Sequence, residues 1–365
     1  MDNKIPGICF NNGVCNYCDL HDRLENEYPI NLKRLKEIFK IVKKEGRGRE
    51  FDCVVGVSGG CDSSYMLHLC KEYGLRPLAV TFNNSWEKVE AVYNIYTMTK
   101  KLNIPLRTYV LDAKVSHDLC LSFLKASVPE IDAPLDVAII TVLRQAAIDN
   151  KINYIFNGHS FRTEGIAPHG WYYFDGKYVA DIHNKFGQRD LGNFPNLWLQ
   201  RWLKTLLFYN IKEIRPLYYI NYKKGDTKKL LKKTYGWKEY KHHHNENLWS
   251  TFTYNYYLPM KFDKDQRVIE YSALVRSGQM SRKRALDKMK KENIINSDIV
   301  SYVIKKLGIS EKEFAKYMSL PKKSYQDYAT YLTTFRTTRL FWWAMYKMGR
   351  VSKSFYIKYT KRNDN

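Results

Sequence analysis

The sequence predicts an α/β protein: a parallel sheet with helices on both faces, followed by a helical C-terminal region. Three observations carry this. The β-branched run Cys53-Val54-Val55-Gly56-Val57 ends in Ser58-Gly59-Gly60 and passes directly into a helical pattern. Strand and helix patterns then alternate as far as residue 235, which implies parallel strands joined by crossover helices. Beyond Gly236 the chain becomes rich in His, Trp and Tyr and then reads as short helices broken by Gly and Ser. In order, a basic helix is predicted over 32–44, with Leu32, Leu35, Ile38, Phe39 and Ile41 on one side. A strand follows at 53–57, a helix at 63–73, a strand at 78–83, a helix at 86–102 and a strand at 106–111. A helix at 135–149, strands at 154–156 and 213–215, and a helix at 223–235 complete the alternation. This divides the chain into an N-terminal cysteine segment and helix (1–50), the α/β unit (51–236), a helical region (237–320) and a basic, aromatic extension (321–365).

Composition narrows the function without choosing it. With 365 residues, 44% of them hydrophobic, the chain can bury a large core. No run of eighteen apolar residues and no apolar leader are present, so a cytoplasmic location is expected. Seven cysteines, an odd number scattered mostly through predicted core elements, suit reduced thiols better than a disulfide framework. The net charge of +23 fits an anionic partner: RNA, a nucleotide-linked substrate, an acidic protein or an anionic membrane surface.

Ligands of such sheets bind at the carboxyl ends of the strands. The first of these ends is the glycine turn. Strand, glycine turn and helix N-terminus together make an anion site, because glycines admit phosphate oxygens to the backbone and the free N–H groups and helix dipole favour negative charge. Ser58, Gly59, Gly60, Ser63 and Ser64 are the candidate cradle, and Asp62 is placed as a Mg²⁺ ligand would be. The order SGGxDS resembles the PP-loop of the ATP pyrophosphatases, which cleave ATP between the α and β phosphates. It is not a Walker A loop, since no GK[ST] follows. At other strand ends, Phe82 and Gly158 are expected to lie against the nucleotide. Asn157-Gly158-His159 is followed by Arg162, a candidate for pyrophosphate, and Glu164, a candidate for Mg²⁺ or for orienting a nucleophile. Asp181 and His183 are weaker candidates of the same kind. Three adjacent histidines, His242 to His244, cannot all face one ion from a regular element, so with Glu246 they read as an exposed or substrate-facing loop. Cys15-Asn16-Tyr17-Cys18, with Cys9 before and His21 after, offers four local ligands to Zn²⁺, and free thiols suit it equally. The apolar, basic stretches 197–207 and 340–348 suit either buried helices with basic edges or a membrane surface, the tail around Phe341-Trp342-Trp343 being the more open to a lipid or partner.

The chain resembles the N-acetyl sugar amidotransferases, PP-loop enzymes of bacterial surface-polysaccharide and nonulosonic-acid biosynthesis. The resemblance rests on Pro6-Gly7-Ile8 with Gly13-Val14-Cys15-Asn16-Tyr17-Cys18, on the glycine turn, and on Val80-Thr81-Phe82-Asn83-Asn84-Ser85-Trp86 with Asn94-Ile95. Arg215-Pro216-Leu217 and Tyr235-Gly236-Trp237-Lys238-Glu239-Tyr240 extend it. Its most specific segments are Tyr256-Tyr257-Leu258-Pro259 and Ser277-Gly278-Gln279-Met280-Ser281-Arg282. It spans about residues 6 to 320. The chain departs from the family in lacking an earlier CxxC, in carrying His243-His244-Asn245-Glu246 where the family has Lys-His-x-Glu, and in Leu248 where the family has Arg.

The resemblance implies ATP and Mg²⁺ as cofactors, with Zn²⁺ at Cys15 and Cys18. It implies adenylation of an acetamido group on a nucleotide-linked sugar, followed by attack of ammonia to give an acetamidino group in lipopolysaccharide O-antigen or other surface-glycan biosynthesis. Trp86, His159, His244 and Glu246 fall on the substrate side. Residue 2 is Asp and no GxCxG elbow occurs, so no glutaminase pattern is read in the chain itself; the resemblance implies a separate glutaminase subunit, with a cyclase-like channelling subunit beside it. Two other readings share these features: a tRNA-modifying PP-loop enzyme of the thiolation type, and a catalytically weakened scaffold of a polysaccharide assembly. No recognisable RNA-binding module accompanies the charge, which ranks nucleic acid below sugar.

Overall fold

The computed structural model describes residues 5, 7–168, 171–240, 246–290 and 297–360. The chain opens with an antiparallel hairpin, β1 (Phe10–Asn11) and β2 (Val14–Cys15), turned at Gly13, and two helices, α1 (Asn16–Glu27) and α2 (Leu32–Glu45). Asn31 caps α2 by accepting from the Arg34 N–H, and Leu35, Phe39 and Val42 bury one face.

The sheet follows: β3 (Cys53–Gly56), α3 (Cys61–Glu72), β4 (Pro77–Asn83), α4 (Val89–Lys101), β5 (Leu106–Val110), α5 (Ala113–Ala126), α6 (Ala133–Asp149), β6 (Tyr154–Phe156), α7 (Gly176–Phe186), α8 (Leu199–Phe208) and β7 (Lys212–Ile214). Five parallel strands lie in the order β5-β4-β3-β6-β7. Val55 sits opposite both Ala79 and Phe156. The chain therefore steps outward from β3 through β4 to β5, then returns to the other side of β3. The switch point of the sheet is between β3 and β6, and the turns that follow these two strands flank one crevice at the carboxyl edge.

α5 is a helix that the sequence reading passed over. Its signals are local: Asp112 accepts from the N–H groups of Lys114 and Val115, and Val115, Leu119 and Phe123 recur at a spacing of four. α7 is a second such helix, whereas α8 is the apolar, basic stretch 197–207, and it is a helix with Trp202 and Leu206 buried.

After the 3₁₀ turn Pro216–Tyr219 comes α9 (Lys224–Tyr235), and the rest of the described chain is helical. α10 (Leu248–Phe252) runs through a π turn, Thr253–Tyr257, into α11 (Leu258–Phe262). Then come α12 (Arg267–Arg276), α13 (Arg282–Lys290), α14 (Ser297–Leu307), α15 (Glu311–Ser319), α16 (Leu332–Thr337), α17 (Arg339–Lys347) and α18 (Lys353–Thr360). Of these, α10, α11 and α14 to α18 share one core with α5 and α7, in which Trp249, Phe252, Tyr257, Phe335 and Trp342 are fully enclosed. Trp342 lies 5.0 Å from the ring of Trp202 on α8 and is a core residue, not a membrane anchor; Leu340, Trp343 and Met348 are the exposed large apolar residues of that stretch. No described helix is long and apolar enough to cross a membrane.

Candidate active site

β3 is buried along its length and delivers Ser58-Gly59-Gly60 to the switch point. Gly59 has φ +79°, and a Cβ there would lie 2.2 Å from the Ala91 carbonyl oxygen of α4, so both the conformation and the space demand glycine. Its own carbonyl accepts from Asn94 Nδ2 and Trp237 Nε1, both at 3.1 Å, which fixes the turn between α4 and the segment after α9. Gly60 caps α3 without a side chain. The Gly60 N–H points to Ser58 Oγ and the Ser58 N–H to Ser63 Oγ, each at 3.3 Å, so the turn's two hydroxyls occupy the N–H groups that a phosphate would use. Ser58 is exposed, Ser63 half-buried. Ser64 is only 2% exposed and lies beneath the turn, so it drops out of the cradle.

Topology brings a cluster of charges to this turn. Asp62, in the first turn of α3, accepts from the Tyr222 hydroxyl and pairs with Lys224 Nζ at 3.1 Å. Glu164, on the loop after β6, hydrogen-bonds Asp62. Burial and the neighbouring Asp62 charge push the Glu164 carboxyl well above its ordinary range. Burial works against ionisation of Asp62 too, but Lys224 and the Glu164 and Tyr222 donors outweigh it and hold that carboxyl low. Of the two acids, Asp62 is thus the more readily ionised. A pair of carboxyl groups beside a glycine turn fits Mg²⁺, which takes one or two carboxylates and completes its shell with phosphates and water. Among the described residues no group of three or more His, Cys, Asp or Glu could hold a metal by itself.

The remaining predicted residues divide. Glu246 closes over the turn: a Cβ at Gly60 would lie 2.4 Å from its Oε1, which accepts from the Tyr240 hydroxyl at 2.8 Å. His159 joins the cluster through Glu164 (3.6 Å) and the Tyr218 hydroxyl (3.2 Å). Gly158 lets the loop after β6 approach the Asp62 backbone, with its Cβ position 3.3 Å from Asp62 C. Phe82 is half-buried against Trp249 and Asp132 in a small recess beyond β4. Two expectations are corrected. Arg162 is buried and bound to Glu25 (Nε–Oε1 2.7 Å) and to the carbonyls of Tyr218 and Tyr28, so its guanidinium ties α1 to the sheet and is not open to a pyrophosphate. Trp86 is fully enclosed, 5.4 Å from the Trp249 ring, so it supports the site from within the core and does not touch substrate. His244, with residues 241–245, lies outside the described residues. Asp181 pairs with Lys185, and His183 with Asp118 at 3.0 Å, both away from the glycine turn.

Sequence reading missed Tyr222 and Lys224, which stand 160 and 162 residues from Asp62 and carry no local motif. It also missed what the SGQM segment does. Ser277 Oγ donates to the Arg162 carbonyl at 2.8 Å, and Gln279 Nε2 to the Tyr222 carbonyl at 3.1 Å. That segment clamps the two loops that carry Glu164 and Lys224.

The zinc expectation does not fit. Cys15 caps α1, and its Sγ lies 3.3 Å from that of Cys18. Arg276 Nε donates to Cys18 at 3.4 Å, so a guanidinium supplies the positive charge that a metal would bring. Cys9 is exposed and takes no part in this contact.

Residues 246–341 match the family model described as LPS biosynthesis protein WbpG-like, C-terminal domain, a stretch that contains both the Tyr256–Pro259 and the Ser277–Arg282 segments. No curated protein matches the chain. Among solved structures it is similar to NMN synthetase from Francisella tularensis (16% identity, 36% of this chain and 55% of that one, TM-score 0.28). It is also similar to NH₃-dependent NAD synthetase from Campylobacter jejuni (10%, 80% and 98%, 0.33) and to the U34-tRNA thiolase NcsA from Methanococcus maripaludis (15%, 68% and 80%, 0.33). The chain thus spans about half the length of the NMN synthetase it matches. At these TM-scores the architecture stands on the chain's own strand order and turn.

Proposed function

We propose that the chain is an ATP-dependent, AMP-forming amidotransferase acting on an acetamido sugar, starting from the match of residues 246–341 to the WbpG-like C-terminal domain of LPS biosynthesis proteins. The observation that carries the reading is the contact between Glu246 and Gly60, by which the first residue of that domain closes the glycine turn. One site is built from both parts.

The chemistry follows from the parts. Oxygen is a poor leaving group from an amide carbon. Attack of the acetamido oxygen on the α-phosphorus of ATP releases pyrophosphate and converts that oxygen into a phosphate ester. Ammonia then adds to the imidate carbon and AMP departs, leaving an acetamidino group. The N–H groups of Gly59, Gly60 and the first turn of α3 receive the pyrophosphate charge, with Ser58 and Ser63 orienting it. Asp62 and Glu164 would hold Mg²⁺, which when bound neutralises charge on the departing pyrophosphate. Lys224 keeps Asp62 ionised and in place. Ammonia is supplied by a separate glutaminase subunit, with a cyclase-like subunit to conduct it.

The test is release of pyrophosphate and AMP from ATP-Mg²⁺ and ammonium against a panel of UDP- and CMP-linked acetamido sugars, with a tRNA arm. Sugar-dependent AMP and a product one mass unit lighter are expected. AMP formed only with tRNA would transfer the chain to the modification enzymes, and silence in both arms with the partner subunits added would leave the scaffold.

A further inference from the structure

The chemistry at the glycine turn makes no use of the exposed side of α8 and α17, the two apolar, basic stretches of the sequence. Each helix buries one face in the C-terminal core, α8 through Trp202, Thr205 and Leu206, α17 through Trp342 and Met345. They meet there: the Trp202 and Trp342 rings stand 5.0 Å apart, and Arg350, just past α17, donates to the carbonyls of Leu206 and Tyr209 at the end of α8. That clamp draws the C-terminal ends of both helices together, and Leu207 and Phe208 fall between the two carbonyls it holds.

Two features separate this surface from an ordinary solvated one. The first is its outward apolar side chains. Phe208 is 77% exposed and Leu340 83%, and Leu207, Trp343 and Met348 are each about half exposed. Leu340, Trp343 and Lys347 follow one another at spacings of three and four, which sets them on one side of α17, away from Trp342 and Met345. Single exposed apolar residues are ordinary, whereas a group of large ones marks an interaction surface. The second feature is charge. Residues 191–212 and 328–363 contain no Asp or Glu, and exposed Arg201, Lys204, Arg339 and Lys347 stand among the apolar residues. Two carboxylates on neighbouring helices, Glu27 and Asp149, are paired with Lys353 and Arg107.

Together these features select the partner. Apolar side chains on amphipathic helices, set among Lys and Arg, bury in the headgroup boundary of a bilayer and are held there by anionic lipids. Trp343, with Lys347 Nζ 5.8 Å from its ring, suits the headgroup level, where one side of an indole stays wet. A nucleic acid would meet aliphatic Leu207, Leu340 and Met348, which neither stack on bases nor donate to phosphates. A second copy of the chain would bring the same positive charge against itself. We propose that α8 and α17 dock the protein on an anionic phospholipid surface, the apolar residues entering it and the cations resting on its headgroups. No step at the glycine turn depends on this contact.

Sedimentation of the full chain with phosphatidylcholine vesicles, with and without one quarter phosphatidylglycerol, tests it at low and high salt. The protein should sediment with the anionic vesicles and be released as salt rises. Binding should weaken by roughly tenfold or more in two double variants, Phe208→Ser with Leu340→Ser and Lys204→Gln with Lys347→Gln. It should stay unchanged in Val89→Ser, which alters a similarly exposed residue of α4. Brominated acyl chains should quench the tryptophan emission of the parent more than that of Trp343→Phe. Thermal melts verify that each variant folds, and the charge pair serves should the apolar pair fail. Absence of binding to anionic vesicles, unweakened binding by the folded double variants, or an equal loss in Val89→Ser overturns the proposal. A tRNA complex, or a dimer in sedimentation velocity, that these variants abolish while vesicles stay unbound overturns it in favour of that partner.

Discussion

Replacing Gly59 and Gly60 separately by Ala should split stability from activity. At Gly59 the backbone has φ +79°, where an L side chain costs about 1–2 kcal/mol, and the new methyl would start 2.2 Å from the Ala91 carbonyl, a backbone atom that moves only with α4. Overpacking of that kind adds about 1–3 kcal/mol. The sum is about 2–5 kcal/mol. Unfolding entropy near 2.1 cal/mol/K per residue gives about 0.8 kcal/mol/K for a chain of 365 residues, so the loss reads as a fall in Tm of about 3–6 °C. At Gly60 φ is −69° and the nearest atom is Glu246 Oε1, the far end of a flexible side chain. That substitution should cost under about 1 kcal/mol and move Tm by about 1 °C. It places a methyl in the phosphate cradle, however, and a displacement of about 1 Å there is worth on the order of 100-fold in rate. Circular dichroism melts read the first quantity and pyrophosphate release the second. Equal melts for the two variants, or a Gly60→Ala protein at full activity, would refute the account of the turn.

Lys224→Met removes the cation from a pair whose side chains are 18% and 14% exposed; a loss of about 3 kcal/mol in urea unfolding is expected, much of it recovered when Asp62→Asn is added. Arg162→Lys should lower stability by about 2 kcal/mol through its contacts to Glu25, Tyr28 and Tyr218 while leaving the KM for ATP unchanged; a raised KM would return Arg162 to the nucleotide. Burial and the Asp132 charge push the Asp136 carboxyl up to about 7. A raised carboxyl pKa means that the folded state holds the proton where the unfolded chain has lost it, so its contribution is complete below about pH 4 and is lost as pH rises through about 7. The advantage of Asp136→Asn over the parent should therefore grow by about 3 kcal/mol between pH 5 and pH 8; an equal difference at both values would contradict the shift.

The legible parts of this chain were the ones encoded locally. CVVGV followed by SGG announces strand, turn and helix within a dozen residues, and the structure puts that turn at the switch point of a parallel sheet. Glu246 was legible through its place in a short pattern. What escaped depends on distance along the chain. Tyr222 and Lys224 meet Asp62 only because β6 returns beside β3, and nothing in Tyr222-Lys223-Lys224 separates them from other basic stretches. Arg162 was misread because a cation at a strand end suggests phosphate, whereas its partner, Glu25, comes from a helix 137 residues earlier. α5 was missed although the Asp112 cap and the spacing of Leu119 and Phe123 announced it. The clamp by Ser277 and Gln279 gives the SGQM segment a physical reason that the pattern alone does not contain.

The position of Glu246 bears on how such chains can be cut and recombined. The family domain begins at the residue that covers Gly60, and the carbonyl of that residue accepts from the Lys88 N–H at 2.9 Å while Asn247 pairs with Glu87. A boundary drawn at residue 245 thus runs through the middle of a single working unit. Exchanging the C-terminal part between relatives transplants one wall of the glycine turn along with it, so chimaeras joined there will differ at that turn as well as in the helical region.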